Sequence, residues 1–238
     1  MSPAVAGVIF DLDGTLTAPG AIRFDRIRER IGMDGGGSIM AWIAAHARDE
    51  AERRRMEAVV VEEERVALDR MALGPGFDAL AAAIVARGGS LRTGICTRNN
   101  REALQAFDAL LRRSGHPPAE RLFQVQLART HRSPRLGRVL ADKPSHEPVH
   151  EIVHTWGLEE RFTPTVAHEH AAPRHPELLF VGDDVDDCLS ARRAGVRSGW
   201  IHHGRRTSAP AGLHRTVDQH FEDLAAVAEE LSRPPRSG

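Results

Sequence analysis

Val8-Ile9-Phe10-Asp11-Leu12-Asp13-Gly14-Thr15-Leu16-Thr17 is the stretch that decides the fold. Its apolar start reads as a buried strand, and the run then ends abruptly in two carboxylates spaced i, i+2. Side chains two apart on a strand point the same way, so Asp11 and Asp13 converge just past its carboxyl end. Gly14 follows for a sharp change of direction, then Thr15. Ligands of open parallel sheets sit just outside the carboxyl ends of strands. Two carboxylates crowded there repel unless one takes a proton or a cation lies between them. That suits a divalent metal beside a nucleophile and an acid/base group. By itself the run also reads as a strand and an ordinary Asp-Gly turn, and later segments decide between the two.

Two of those segments repeat the pattern. Leu91-Arg92-Thr93-Gly94-Ile95-Cys96-Thr97-Arg98-Asn99-Asn100 is a short strand ending in a hydroxyl, a guanidinium and two amides. Leu178-Leu179-Phe180-Val181-Gly182-Asp183-Asp184-Val185-Asp186-Asp187 ends in four acids within five positions. Apolar runs that turn polar at one end suit a parallel sheet with its chemistry along one edge. A compositional oddity adds a fourth piece. Of 32 lysines and arginines, a single lysine occurs, Lys143, in Ala141-Asp142-Lys143-Pro144-Ser145. A chance surface lysine would explain it, but so would a phosphate or carboxylate contact needing a compact point charge that the planar arginine fork cannot replace.

In order and spacing these four segments resemble the motifs of the haloacid dehalogenase superfamily of phosphohydrolases, from about Val8 to Gly195. The details G-T-L-T-x-P, T-R-N and K-P-S-x-E-P look like its phosphoglycolate-phosphatase-like branch. The resemblance implies Asp11 as nucleophile and Asp13 as acid/base. It implies Mg2+ held by the Asp11 carboxylate, the Asp13 carbonyl and Asp183, with few protein ligands because magnesium keeps several waters. Thr97, with the amides after it, and Lys143 would contact the phosphoryl group, with Arg98 and Asn99 as further substrate contacts. Gly14, Thr15 and Asp187 would support the site, Asp187 by orienting Lys143 or a metal-bound water. Arg98 reads equally as cover for the strand end, and Asp184 and Asp186 as surface acids. An aspartate at position 13 favours a phosphatase over a dehalogenase, whereas a phosphomutase would use the same residues. The implied substrate is a small phosphorylated metabolite.

Around these motifs the pattern alternates as in an α/β protein. Strands are predicted at about 5–10, 91–96, 121–127, 178–182 and 196–202, and helices at about 76–88, 100–114, 146–157, 185–194 and 219–231. That is a doubly wound, Rossmann-like parallel sheet. Residues 18–72 interrupt it with three helices. Phe24, Ile27 and Ile31 mark one apolar face, and Ile39, Trp42 and Ile43 the next. Ala18-Pro19-Gly20 and Gly74-Pro75-Gly76 bracket the insert. The expected division is a catalytic core of 1–17 and 75–238 around a helical insert of 18–74, which the family resemblance reads as a cap. Asp34-Gly35-Gly36-Gly37-Ser38 would serve as an anion-contacting helix start or a plain linker. Arg53-Arg54-Arg55 reads as a solvated face.

The remaining features set bounds. With a formal net charge of −1, nothing points to nucleic acid or a membrane surface as a partner. Two cysteines, Cys96 and Cys188, make no disulfide framework, and the N-terminus lacks a basic leader region, so a cytoplasmic setting is expected. Oligomeric state is not legible. The segment 158–177, with three prolines and three histidines, reads as a long mobile loop. A competing reading is zinc: His146-Glu147-Pro148-Val149-His150 matches H-E-x-x-H, with His154 in phase and His168-Glu169-His170 as a source of a third ligand.

Overall fold

The computed structural model describes residues 4–158, 172–204 and 216–233. These fall into two compact units, 1–19 with 73–238, and 20–72. Among the described residues the larger unit is built on six parallel strands: β1 Gly7–Phe10, β2 Arg92–Cys96, β3 Val125–Leu127, β4 His175–Gly182, β5 Val196–Ile201 and β6 Gln219–Phe221. Their order is β3-β2-β1-β4-β5-β6. The chain winds outward from β1 in one direction, then returns to β1 and winds the other way. The strand order therefore reverses beside β1, where doubly wound sheets bind ligands. Register places Phe10 beside Ile95 and Val181, so three strands end level around Asp11.

The smaller unit consists of helices α1 Phe24–Ile31, α2 Ile39–His46 and α3 Glu50–Leu68. Its core gathers Ile27, Ile31, Met33, Ile39, Ile43 and Val60. Phe24, assigned from sequence to the apolar face of α1, is instead 46% exposed. Ser38 caps α2 by accepting from Ala41 N. Arg53 and Arg54 pair with Glu57 and Glu50 one turn away, a solvated face as the sequence suggests.

In the larger unit, α4 Phe77–Arg87, α5 Arg101–Arg113, α6 Ala119–Leu122, α7 Glu147–Thr155, α8 Val185–Arg193 and α9 Leu224–Leu231 accompany the sheet. One core cluster joins Ile9, Phe180, Val196, Ile152 and Trp156. Phe10, Phe77, Phe107 and Phe123 form a chain of edge and tilted ring contacts. Where the indole of Trp156 crosses β1 and β2, the strands carry Gly7 and Gly94, since a Cβ at either would press on that ring.

Three details depart from the sequence reading. Residues 219–221 are a strand rather than the first turn of a helix, and α9 starts only after Asp223, whose side chain accepts from Ala226 N. Three residues ending on an outer edge are too few for an alternation signal. Residues Ala119–Leu122 form a helical turn, so β3 is shorter than expected. The segment 175–177, taken as loop, opens β4, while 159–171 lie outside the described residues. No described helix is long and apolar enough to cross a membrane.

Gly7→Val should therefore force the Trp156 ring from β1 and cost about 1–3 kcal/mol, read as a lower urea midpoint at unchanged slope. An unchanged midpoint would mean the close packing is not needed.

Candidate active site

Past β1 the chain makes a tight turn over Leu12–Leu16, with Gly14 in the left-handed region at φ 80°. A Cβ on Gly14 would run into the Asp183 carboxylate, so glycine is needed for both conformation and approach. Thr15 Oγ1 donates to Asp183 Oδ1 across 3.4 Å. Thr17 Oγ1 closes the turn onto the Leu12 carbonyl at 3.0 Å.

Lys143 lies at the centre, its side chain 2% exposed. Its Nζ donates to Asp11 Oδ1 at 2.5 Å, to Asp187 Oδ1 at 2.5 Å and to the Cys96 carbonyl at 3.0 Å. An ammonium has three donors, and all three are spent. The Nζ also stands 5.6 Å from the Phe180 ring centroid. The other oxygen of Asp187, Oδ2, accepts from Asp184 N, while Asp184 Oδ1 accepts from Asp186 N, a reciprocal cap on α8. A helix start thus holds the acid that holds the lysine.

Asp11, Asp183 and Asp187 each offer a carboxylate oxygen, all within 4.8 Å of one another. Negative charge is in excess. Burial pushes Asp11 up despite Lys143, and pushes Asp187 up to about 6. Burial and the neighbouring Asp11 and Asp187 hold Asp183 well above the ordinary carboxylate range. Burial opposes the charge on Lys143, but Asp11 and Asp187 outweigh it and keep the ammonium charged. A cluster of hard oxygen donors with unbalanced charge fits a hard divalent cation.

The end of β2 supplies the other wall. Thr97 Oγ1 and Asn99 Nδ2 both face Asp13 Oδ2, at 3.4 and 3.0 Å. Arg98 donates to Asp186 at 2.5 Å and Asp184 at 3.1 Å. It ties the loop after β2 to the one after β4, which accords with its reading as strand-end cover. Asp184 and Asp186 are thus latch and cap residues, a role the sequence did not suggest. Also unforeseen is His203, which follows β5 and whose Nε2 donates to the Thr15 carbonyl at 3.1 Å. Nothing in its local sequence marks it.

Asp11, Asp13, Gly14, Thr15, Thr97, Asn99, Lys143, Asp183 and Asp187 are thus brought together, and the fold is that of the haloacid dehalogenase-like hydrolases. No family model matches the chain. It is 26% identical over 200 residues to a haloacid dehalogenase-like hydrolase domain-containing protein of Arabidopsis thaliana, covering 80% of this chain and 68% of that protein. A hydrolase from Pseudomonas syringae shares the fold at a TM-score of 0.67 and 16% identity, over 95% of this chain and 97% of that one. A proposed phosphoglycolate phosphatase of Lactobacillus plantarum does so at 0.61 and 20%, over 95% and 99%. CbbY of Rhodobacter sphaeroides, solved with phosphate, matches at 0.56 and 18%, over 93% and 95%.

The zinc reading gains no support among the described residues, where Asp11, Asp183 and Asp187 are the metal-competent group of three. His146 and His150 lie ring to ring at 4.7 Å, but Glu147 is held by Arg138 at 2.6 Å and by Ala141 N. His168, Glu169 and His170 lie outside the described residues.

The buried charges can be tested in two ways. Lys143→Met leaves Asp11 and Asp187 buried without their cation, so in chelated buffer stability should fall by about 3–5 kcal/mol; urea unfolding that shows no loss would contradict the buried triad. Burial, with His146 nearby, pushes His150 down to about 4. The unfolded chain binds that proton first, from about pH 6.5 downward, so stability should fall as pH drops from about 6.5 to 4, by up to about 3 kcal/mol. The His150→Gln variant should lack this component. A difference between the two proteins that does not change with pH would contradict it.

Proposed function

We propose that this chain is a magnesium-dependent phosphatase that hydrolyses a small phosphate monoester through an aspartyl-phosphate on Asp11. The observation that carries the reading is the buried Asp11 carboxylate, oriented by Lys143 at 2.5 Å and flanked by Asp183 and Asp187. A structural ion pair would not need two further carboxylates crowded against it.

In this reading Asp11 attacks phosphorus, forming a P–O bond as the ester P–O bond breaks. Asp13 gives its proton to the departing oxygen, then takes one from the water that cleaves the acyl-phosphate. Lys143 fixes the attacking oxygen and offsets charge gathering on the phosphoryl group. Held by the Asp11 and Asp183 carboxylates and the Asp13 carbonyl, Mg2+ would neutralise phosphoryl oxygens. Asp187 orients Lys143. Residues 18–74 act as the helical cap of the core.

Asp11→Asn should abolish turnover of phosphate esters in magnesium buffer while the fold, read by circular dichroism, is kept. Asp13→Asn keeps the nucleophile but loses the proton carrier, so turnover should fall roughly 10²–10⁴-fold. Near wild-type rates for the first variant would overturn the mechanism, and a change of only a few fold for the second would remove Asp13 from its role.

A further inference from the structure

Asn99 is expected from sequence to touch substrate, yet the structure uses every polar atom it has. Its backbone N–H donates to Thr97 Oγ1 at 2.9 Å, and its backbone carbonyl accepts from Arg129 N at 2.8 Å. Its side-chain Oδ1 accepts from Asn100 N at 2.8 Å. That contact fixes which way the amide faces, because only an oxygen can accept there. The Nδ2 is thereby turned to Asp13 Oδ2, 3.0 Å away. Asn99 itself is 4% exposed. The next residue reinforces the arrangement: Asn100 Oδ1 accepts from Ala103 N and caps α5, so the loop is anchored on both sides.

The second contact to the same oxygen comes from Thr97, whose Oγ1 lies 3.4 Å from Asp13 Oδ2. Thr97 is itself aligned by Asn99 N–H. Both approaches to Asp13 from the β2 loop involve Asn99, one through its side-chain amide and one through its backbone N–H, and both end on Oδ2. Two donors on one oxygen favour negative charge there, which directs a proton to the other oxygen of the same carboxyl group.

Resting on the phosphatase reading, we propose that Asn99 is a positioning residue for Asp13: it ties down Oδ2, so that Oδ1 carries the proton. In the first step Asp11 forms its bond to phosphorus, the ester bond breaks, and the Oδ1 proton moves to the alkoxide. In the second, water adds to phosphorus, its proton goes to Oδ1, and the Asp11–phosphate bond breaks to release phosphate. Without the amide, Oδ2 loses the shorter of its two contacts from this loop, and the Asp13 proton is less closely aimed at the leaving oxygen. The reaction should then become sensitive to how much protonation that oxygen needs.

The test compares Asn99→Ala and the near-isosteric Asn99→Asp with wild type on two esters, p-nitrophenyl phosphate and an alkyl phosphate such as glycerol phosphate. The aryl group departs with little help from an acid; the alkyl group does not. Both variants should lose about 10–100-fold in kcat/KM for the alkyl ester and only a few fold for the aryl ester. Asn99→Ala should add nothing further in an Asp13→Asn background. Equal losses on both esters, or a raised KM with unchanged kcat, would overturn the proposal and return Asn99 to a structural or substrate-binding role. Wild-type protein that turns over neither ester would overturn the phosphatase reading, and this inference with it. Thermal melting of each variant shows whether the fold is kept, and Asn99→Asp retains the backbone contacts and the oxygen facing Asn100 N should the alanine variant unfold.

Discussion

A buried ammonium organises this molecule. Lys143 is buried, and every hydrogen it can donate is taken by Asp11, Asp187 or the Cys96 carbonyl. A charge removed from water is costly unless it is paired and fully hydrogen-bonded, so those partners cannot drift. Each sits at the carboxyl end of its strand or in the first turn after it: Asp11 after β1, Cys96 at the end of β2, Asp187 at the start of α8 after β4. The lysine therefore holds three crossover loops in mutual register. Neighbouring groups reinforce the same point, with Ser190 Oγ donating to the Ser145 carbonyl at 2.5 Å and Arg193 to the Pro144 carbonyl at 3.1 Å. Both bonds fasten α8 to the segment that carries Lys143.

The same constraint explains the glycines next to the acids. Gly182 precedes the acidic run, and a Cβ there would overlap the Asp187 carboxylate. Gly14 makes the corresponding room for Asp183. Small residues at the strand ends let carboxylates approach far closer than their charges favour. The Lys143 ammonium offsets part of that crowding, and the residual negative charge leaves a place for a divalent cation.

Much of this was legible in the sequence because the chemistry lies in short, ordered runs. Asp11 and Asp13 follow directly on the apolar run of β1, and Lys143 stands out because arginine occupies the other basic positions. The strands that carry the site, β1, β2 and β4, are apolar runs ending in polar groups, and the structure places them where that pattern suggests. What stayed hidden has a common cause: it depends on contacts between residues far apart in the chain. His203 reaches the Thr15 carbonyl over a separation of 188 residues, and no local pattern marks it. Asp184 and Asp186 look like surface acids until Arg98, 86 and 88 residues away, closes on them. An amide at a strand end, as at Asn99, suits ligand contact and positioning alike, and its contact to Asp13, 86 residues away, is not visible in the local sequence. Strand β6 was missed for a different reason, since three residues on an outer edge carry too little pattern to separate from a helix start.

Whether a side chain carries phosphate during turnover is the most direct thing to measure. Wild-type protein mixed with a phosphate monoester and magnesium, quenched in acid within the turnover time, can be digested and mapped by mass spectrometry. Phosphate should be found on the peptide containing Asp11, at that residue, and should disappear when the chase is long enough for hydrolysis. Ester turnover that proceeds with no protein-bound phosphate at any quench time, or with phosphate on a different side chain, would contradict an aspartyl-phosphate mechanism.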